Sequence, residues 1–310
     1  MYRVLVADRV DMVLVDMLRS SGFEVDYRPG ISRDELISII GDYDVLVVRG
    51  RLRIDGEVLK AAGRLRVIAR AGVGLDNIDL DYARKLGVRV VNAPAAPTQS
   101  VAELTIGLMI AAARRVVELN YMLRSGGVWR KGYGVELYGK RLLVVGFGRI
   151  GRRVAEIAKA IGMRVYAYDV VDVSGVAEAM GVGVVGDLRE GIGMADVVSL
   201  HVPLTPDTYH MVNSETIEWF REGAILVNTS RGAVVDAAAV LRGLEEGRLY
   251  AYAADVLEHE PPATEAEWRL VRHPRVVLTP HIGSQTREAQ RRVAVETAKR
   301  IMEVLGVGQG

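Results

Sequence analysis

The run Leu142–Val145, followed by Gly146-Phe147-Gly148-Arg149-Ile150-Gly151, constrains the fold more than any other part of the chain. Four apolar residues read as a buried strand, a G-x-G-x-x-G triplet follows at once, and residues 152–161 repeat apolar side chains at helical spacing. Strand, tight turn and helix start in that order form the context a dinucleotide-binding fingerprint requires. Gly146 permits the turn, Gly148 lets the backbone approach a pyrophosphate, and Gly151 lets the helix pack close to the strand. The helix start at Arg149 and Ile150 supplies free N–H groups and the positive dipole end.

A glycine triplet alone also marks ordinary turns, and Asp169 adds the second signal. The apolar segment Arg164–Tyr168 ends in this acid, eighteen residues beyond Gly151, close to the spacing expected for a carboxylate on an adenosine ribose. Val170, Val171 and Asp172 follow, with no Arg or Lys to hold a 2′-phosphate. The expected cofactor is NAD rather than NADP.

The 310 residues exceed one ordinary core, so two domains are the natural expectation. A formal net charge of +1 gives no field for nucleic acid or an acidic membrane. The chain has no cysteine, which excludes disulfides, thiolate metal sites and Cys nucleophiles. The apolar stretch Val101–Ala113 carries Glu103 and falls short of a membrane span. A strand read directly from Met1 leaves no room for a signal peptide, so the expected location is the cytoplasm.

Strand and helix patterns alternate along both halves, the signature of parallel α/β sheets. In the first hundred residues the strands are Arg3–Ala7, Glu24–Tyr27, Val45–Val48, Val67–Arg70 and Arg89–Asn92. A long helical stretch is expected over roughly Ser100–Leu123. Six strands follow: Leu142–Val145, Arg164–Tyr168, Val197–Leu200, Ala224–Asn228, Tyr250–Ala254 and Val276–Leu278. A last helix, Glu288–Leu305, finds no strand left in this series and is expected to cross back. The expected fold is α/β, with two Rossmann-like or flavodoxin-like parallel-sheet domains and a cleft between them. Residues 1–96 and 286–310 would form a discontinuous substrate-binding domain, and 97–285 the NAD-binding Rossmann domain.

Ligands of open α/β sheets sit beyond the carboxyl ends of the strands. The residues that follow the strands of the second series therefore supply the candidate cofactor contacts: His201, Val202, Pro203, Thr208, Thr229, Ser230, Asp255, Gly283 and Ser284. The same edge carries Arg231, Glu260 and His281 after three successive strands. Taken singly, each reads as a surface charge or a solvated loop residue. Their joint position suggests hydride-transfer chemistry at a secondary alcohol. Histidine exchanges the hydroxyl proton near neutrality, a carboxylate orients the imidazole and favours its charged form, and an Arg grips a substrate carboxylate bidentately. His210, His259 and His273 read as surface or loop residues. No pair of histidines has metal-ligand spacing, so no metal is expected.

The strings GFGRIG (146–151), SLHVPLTPDT (199–208), NTSRGAVVD (228–236), AADVLEHEPP (253–262) and LTPHIGSQT (278–286) resemble those of the D-isomer-specific 2-hydroxyacid dehydrogenases. The resemblance covers nearly the whole chain and sets the family's catalytic Arg, Glu and His on Arg231, Glu260 and His281. RAGVGLDNID (70–79), NAPAAPTQSVAELTIGLM (92–109) and GGVWRKG (126–132) refine it toward enzymes that oxidise D-3-phosphoglycerate to 3-phosphohydroxypyruvate in serine biosynthesis. It implies backbone around Val73 and Gly74 facing the substrate carboxylate, and Arg49, Arg51 and Lys131 where a phosphate could bind. It also implies a homodimer contact near Trp129. Reduction of glyoxylate or hydroxypyruvate, D-lactate oxidation, and NADH sensing by a corepressor-like protein are the alternatives. Many relatives carry a further C-terminal regulatory domain that binds serine. This chain ends at Gly310, so feedback by that route is not expected. Leu257 stands where the family usually has Phe, a change expected to affect packing only.

Overall fold

The computed structural model describes residues 1–307. The chain forms two compact units, Met1–Thr98 with the chain from Ser284 onward, and Gln99–Gly283. In the first unit β1 (Arg3–Val6), β2 (Glu24–Tyr27), β3 (Val45–Val48), β4 (Val67–Arg70) and β5 (Arg89–Asn92) alternate with α1 (Val13–Ser20), α2 (Arg33–Ile39), α3 (Gly56–Ala61) and α4 (Leu80–Lys85). All strands are parallel, in the order β2-β1-β3-β4-β5.

Alternation along the strands builds two cores in this unit, because successive side chains point to opposite faces. Leu5, Leu46 and Ile68 pack with Leu36, Val58 and Leu59 on one face. Val4, Val6, Val45, Val47 and Val67 pack on the other with Leu14, Val15 and Leu18 of α1. The last helix of the chain (Arg287–Leu305) closes this second face through Val293, Ala294, Ala298 and Ile301. Each fully buried Val, Leu or Ile among these contributes roughly 1.5–3 kcal/mol. Thr286 starts that helix by accepting a hydrogen bond from Ala289 N.

The second unit carries β6 (Arg141–Val145), β7 (Arg164–Tyr168), β8 (Gly183–Val184), β9 (Val197–Leu200), β10 (Ala224–Asn228), β11 (Leu249–Ala254) and β12 (Val276–Leu278). Its helices are α5 (Thr98–Ala113), α6 (Val116–Gly126), α7 (Arg149–Ala160), α8 (Ser174–Ala179), α9 (Leu188–Met194), α10 (Ala237–Glu245) and α11 (Glu265–Arg272), which makes Arg287–Leu305 α12. The sheet is parallel throughout, in the order β12-β11-β10-β9-β6-β7-β8. The strand order reverses between β6 and β9, which is where a doubly wound sheet opens a crevice for its ligand.

Two sequence expectations need correction. The six expected strands become seven, since the two-residue β8 pairs with Tyr166 and Ala167. The helical stretch expected over roughly Ser100–Leu123 is divided into two helices. Arg115 takes a left-handed conformation, with φ 55°, between α5 and α6. Its guanidinium bonds Glu118 in the first turn of α6. Val135 N donates to Ala113 O at the end of α5, so the later segment supplies the partner that a continuous helix would have provided. Among the described residues no helix is long and apolar enough to cross a membrane.

Candidate active site

The turn after β6 is a glycine-specific construction. Gly146 has φ 91°, and a Cβ there would stand 2.6 Å from His201 O, across the strand reversal. A Cβ on Gly151 would stand 2.1 Å from Gly146 O, so α7 could not start so near the strand. A Cβ on Gly148 would meet nothing within 4 Å, which leaves open space over the first turn of α7, beside Arg149 and Ile150. Asp169 ends β7 beside this turn, with Oδ2 accepting from Phe147 N at 2.7 Å and Oδ1 from Val171 N at 3.2 Å. Val170 and Val171 beyond it are exposed, and Asp172 follows, so none of the three is basic. A cradle of glycines, a helix N-terminus and a fixed carboxylate suit a dinucleotide without a 2′-phosphate.

His201 follows β9. Its Nε2 lies 2.8 Å from Ser199 Oγ, and its buried Nδ1 has no hydrogen-bond partner among the described residues. Burial pushes its pKa down to about 3, so the ring stays neutral. In the loop after it, with Val202 half-buried and Pro203 exposed, the Thr208 hydroxyl donates to Pro203 O and accepts from Thr205 N.

Three further strand ends bring the chemistry-bearing residues to the same edge. After β10, buried Asn228 accepts from Ser230 N and Oγ and donates to Arg231 O, which shapes the Arg231 turn. Thr229 Oγ1 meets Thr105 Oγ1 of α5 at 2.8 Å, and Arg231 Nη1 donates to Ser230 O at 2.8 Å. After β11, buried Asp255 accepts from Thr279 Oγ1, Ile282 N and Gly283 N. The Ser230 side chain thus braces its own turn, and that of Asp255 braces the loop after β12. His281, after β12, is held at φ 53° while its N–H donates to Asp255 O at 2.8 Å. A non-glycine residue in the left-handed region costs of order 1–3 kcal/mol and persists where its surroundings over-determine it.

The central pair is His281 Nδ1 and Glu260 Oε2, 2.8 Å apart. The hydrogen bond that the ring donates to Glu260 raises the His281 pKa above 6.5, opposed by burial and by Arg231 and aided by Asp255. With Nδ1 on Glu260, Nε2 is the nitrogen left to face a reacting hydroxyl. Such a pair can take a proton from an alcohol or return one to a carbonyl.

In the first unit, buried Asp8 beyond β1 accepts from Arg49 N at 2.7 Å and Arg51 Nε at 2.8 Å. Burial lowers the Arg49 pKa, against the pull of Asp8. Arg49 and Arg51 are therefore brought together on one carboxylate at a strand end. Val73 and Gly74 are half-buried beyond β4, where Val73 O accepts from Asn92 Nδ2. Ser284 also belongs to the first unit, and its carbonyl accepts from Gln290. Lys131 lies on the exposed segment after α6 in the second unit. Among the described residues no cluster of His, Asp and Glu could hold a metal.

Sequence reasoning missed the partners of two histidines. His210 Nε2 lies 2.8 Å from Glu258 Oε2, and His259 Nδ1 lies 3.2 Å from Glu267 Oε1. The Thr264-x-x-Glu267 spacing, a capping-box pattern, was the one signal available for the second.

Comparison with known proteins identifies the family. Residues 106–283 match the family model "D-isomer specific 2-hydroxyacid dehydrogenase, NAD binding domain". The chain belongs to the D-isomer specific 2-hydroxyacid dehydrogenase family, and its second unit carries that family's NAD-binding domain. It is 44% identical over 306 residues to a D-3-phosphoglycerate dehydrogenase of Methanocaldococcus jannaschii, covering 98% of this chain and 58% of that protein. It is 41% identical to a hydroxypyruvate reductase of Thermotoga maritima, covering 99% of each. A D-lactate dehydrogenase of Aquifex aeolicus, solved with NAD and lactic acid, superposes with a TM-score of 0.84 at 30% identity, covering 98% of this chain and 96% of that one.

Proposed function

We propose that this protein oxidises D-3-phosphoglycerate to 3-phosphohydroxypyruvate with NAD, the step that opens serine biosynthesis. The observation that carries the reading is the His281–Glu260 pair, 2.8 Å apart at the edge of the cofactor-binding sheet. NAD, when bound, supplies the acceptor for the hydride leaving C2. His281 Nε2 takes the C2 hydroxyl proton, and Glu260 on Nδ1 stabilises the resulting imidazolium. Arg231 binds the substrate carboxylate as a planar fork, assisted by backbone at Val73 and Gly74. In the reverse direction the raised His281 pKa keeps a proton ready for the carbonyl oxygen.

Gly146, Gly148, Arg149, Ile150 and Gly151 hold the pyrophosphate in this reading, and Asp169 holds the ribose. His201, Val202, Pro203, Thr208, Thr229, Ser230, Asp255, Gly283 and Ser284 shape the rest of the cofactor site. Arg49 and Arg51 take the substrate phosphate, with Lys131 as a further cation. The exposed aromatic side chains of Trp129, Tyr133 and Tyr138 after α6 support a homodimer, as surface that a partner copy could cover. This reading places the reaction in the cytoplasm.

A second reading, reduction of hydroxypyruvate or glyoxylate, is favoured by one feature. Asp8 already engages Arg51, which weakens the basic edge available to a phosphate. A panel of phosphorylated and unphosphorylated 2-hydroxy acids, followed by NADH absorbance, separates the two. Loss of a charged hydrogen bond costs roughly 1.5–3 kcal/mol, or about ten- to a hundredfold. Arg51→Ala is expected to lose about that much kcat/KM on D-3-phosphoglycerate and little on D-glycerate. Equal losses on both acids, or faster wild-type turnover of the unphosphorylated ones, would replace this substrate with the second reading. No turnover of any acid would leave NADH sensing.

A further inference from the structure

Glu258, His259 and Glu260 are consecutive, and each meets an imidazole or carboxylate from a different element. Glu260 holds His281. On one side, Glu258 Oε2 lies 2.8 Å from His210 Nε2, and Glu258 Oε1 accepts from the Tyr209 hydroxyl at 3.2 Å. The Tyr209 and His210 rings stack with centroids 4.0 Å apart. His210 itself sits at φ 47°, pinned by its N–H donating to Ala233 O.

The other side is held by Glu267, in the first turn of α11 and only 2% exposed. Its Oε1 accepts from His259 N at 2.9 Å and faces His259 Nδ1 at 3.2 Å. Its Oε2 accepts from Ala263 N, Thr264 N and Thr264 Oγ1 at 2.9–3.1 Å. Burial pushes this carboxyl up, but the backbone donors outweigh it and hold the pKa at about 2. One buried anion thus gathers residues 259, 263 and 264 of the loop that carries Glu260. Glu260 is itself exposed on irregular chain. A catalytic contact needs its groups held within about 0.5 Å by residues that are themselves locked.

We propose that Glu267 and the Glu258–His210 pair are positioning residues, a two-sided clamp on the tripeptide that sets the Glu260 carboxylate against His281. The proposal rests on the acid–base role of His281 given above. None of the clamp residues needs to touch substrate or cofactor.

The test is an NMR titration of the histidine rings in the isotope-labelled full chain, with turnover measured in parallel. Glu267→Gln weakens the buried anchor. His210→Asn breaks the outer one while keeping a residue that tolerates positive φ. In both variants the His281 midpoint is expected to move down towards 6.5, and kcat to fall on the order of ten- to a hundredfold, with NAD Kd unchanged. An unchanged His281 midpoint in either variant overturns the clamp. Should Glu267→Gln fail to fold, His210→Asn, at the exposed anchor, decides alone. The titration needs no substrate. A wrong reaction assignment would therefore appear as absent wild-type turnover beside an intact midpoint shift.

Discussion

Replacement of His281 by alanine is expected to lower turnover by about 10²–10⁴-fold, the usual contribution of a general acid–base group. NAD affinity should stay near wild type, because the glycine turn and Asp169 lie on other loops of the same sheet edge. Backbone complicates this substitution, since residue 281 sits at φ 53°, where alanine is strained. His281→Asn is the better control, because asparagine tolerates that region and cannot exchange a proton near neutrality. Steady-state kinetics with an NAD binding titration check both variants. Turnover within tenfold of wild type in the asparagine variant would remove His281 from the chemistry.

Gly232→Ala should be nearly as damaging, although residue 232 carries no chemistry. An added Cβ would lie 1.9 Å from Leu257 C and O and 2.3 Å from Glu258 N. All three are backbone atoms, so no side-chain rotation relieves the clash. The loop bearing Glu258 and Glu260 must move, or the turn bearing Arg231 must. Overpacking of this kind costs about 1–3 kcal/mol, and a 1 Å misplacement of a catalytic group can cost about a hundredfold in rate. The expected result is a folded protein of lower Tm whose kcat/KM falls by about a hundredfold or more. Retained activity would mean that the Arg231 and Glu260 loops do not depend on this contact.

Most of the second unit was legible in the sequence because its strands are short apolar runs and its ligand edge is marked by glycines. Residues at the ends of β10, β11 and β12 could be picked out by position alone, which is how Arg231, Glu260 and His281 emerge together. Other features left no periodic trace. The break at Arg115 has neither Gly nor Pro, and Val135, which bonds Ala113 O at the end of α5, is twenty-two residues from it. The two-residue β8 is too short to show alternation. The chain that carries Arg49 and Arg51 bends after β3, and Asn77 Nδ2 bonds the carbonyls of Arg49 and Leu52 there. His210 and Glu258 stand forty-eight positions apart, and only folding brings them together.

The pH dependence of kcat/KM for oxidation, in wild type and Glu260→Gln, tests the His281–Glu260 pair most directly. Oxidation needs His281 neutral to accept a proton, so the rate should rise with pH through the His281 midpoint. Glu260 raises that midpoint above 6.5, and the profile of the reductive direction should fall across the same range. In Glu260→Gln the ring loses its charged partner, and the rising limb should shift to lower pH, with a reduced plateau. Identical midpoints in the two proteins would contradict an acid–base pair at residues 260 and 281.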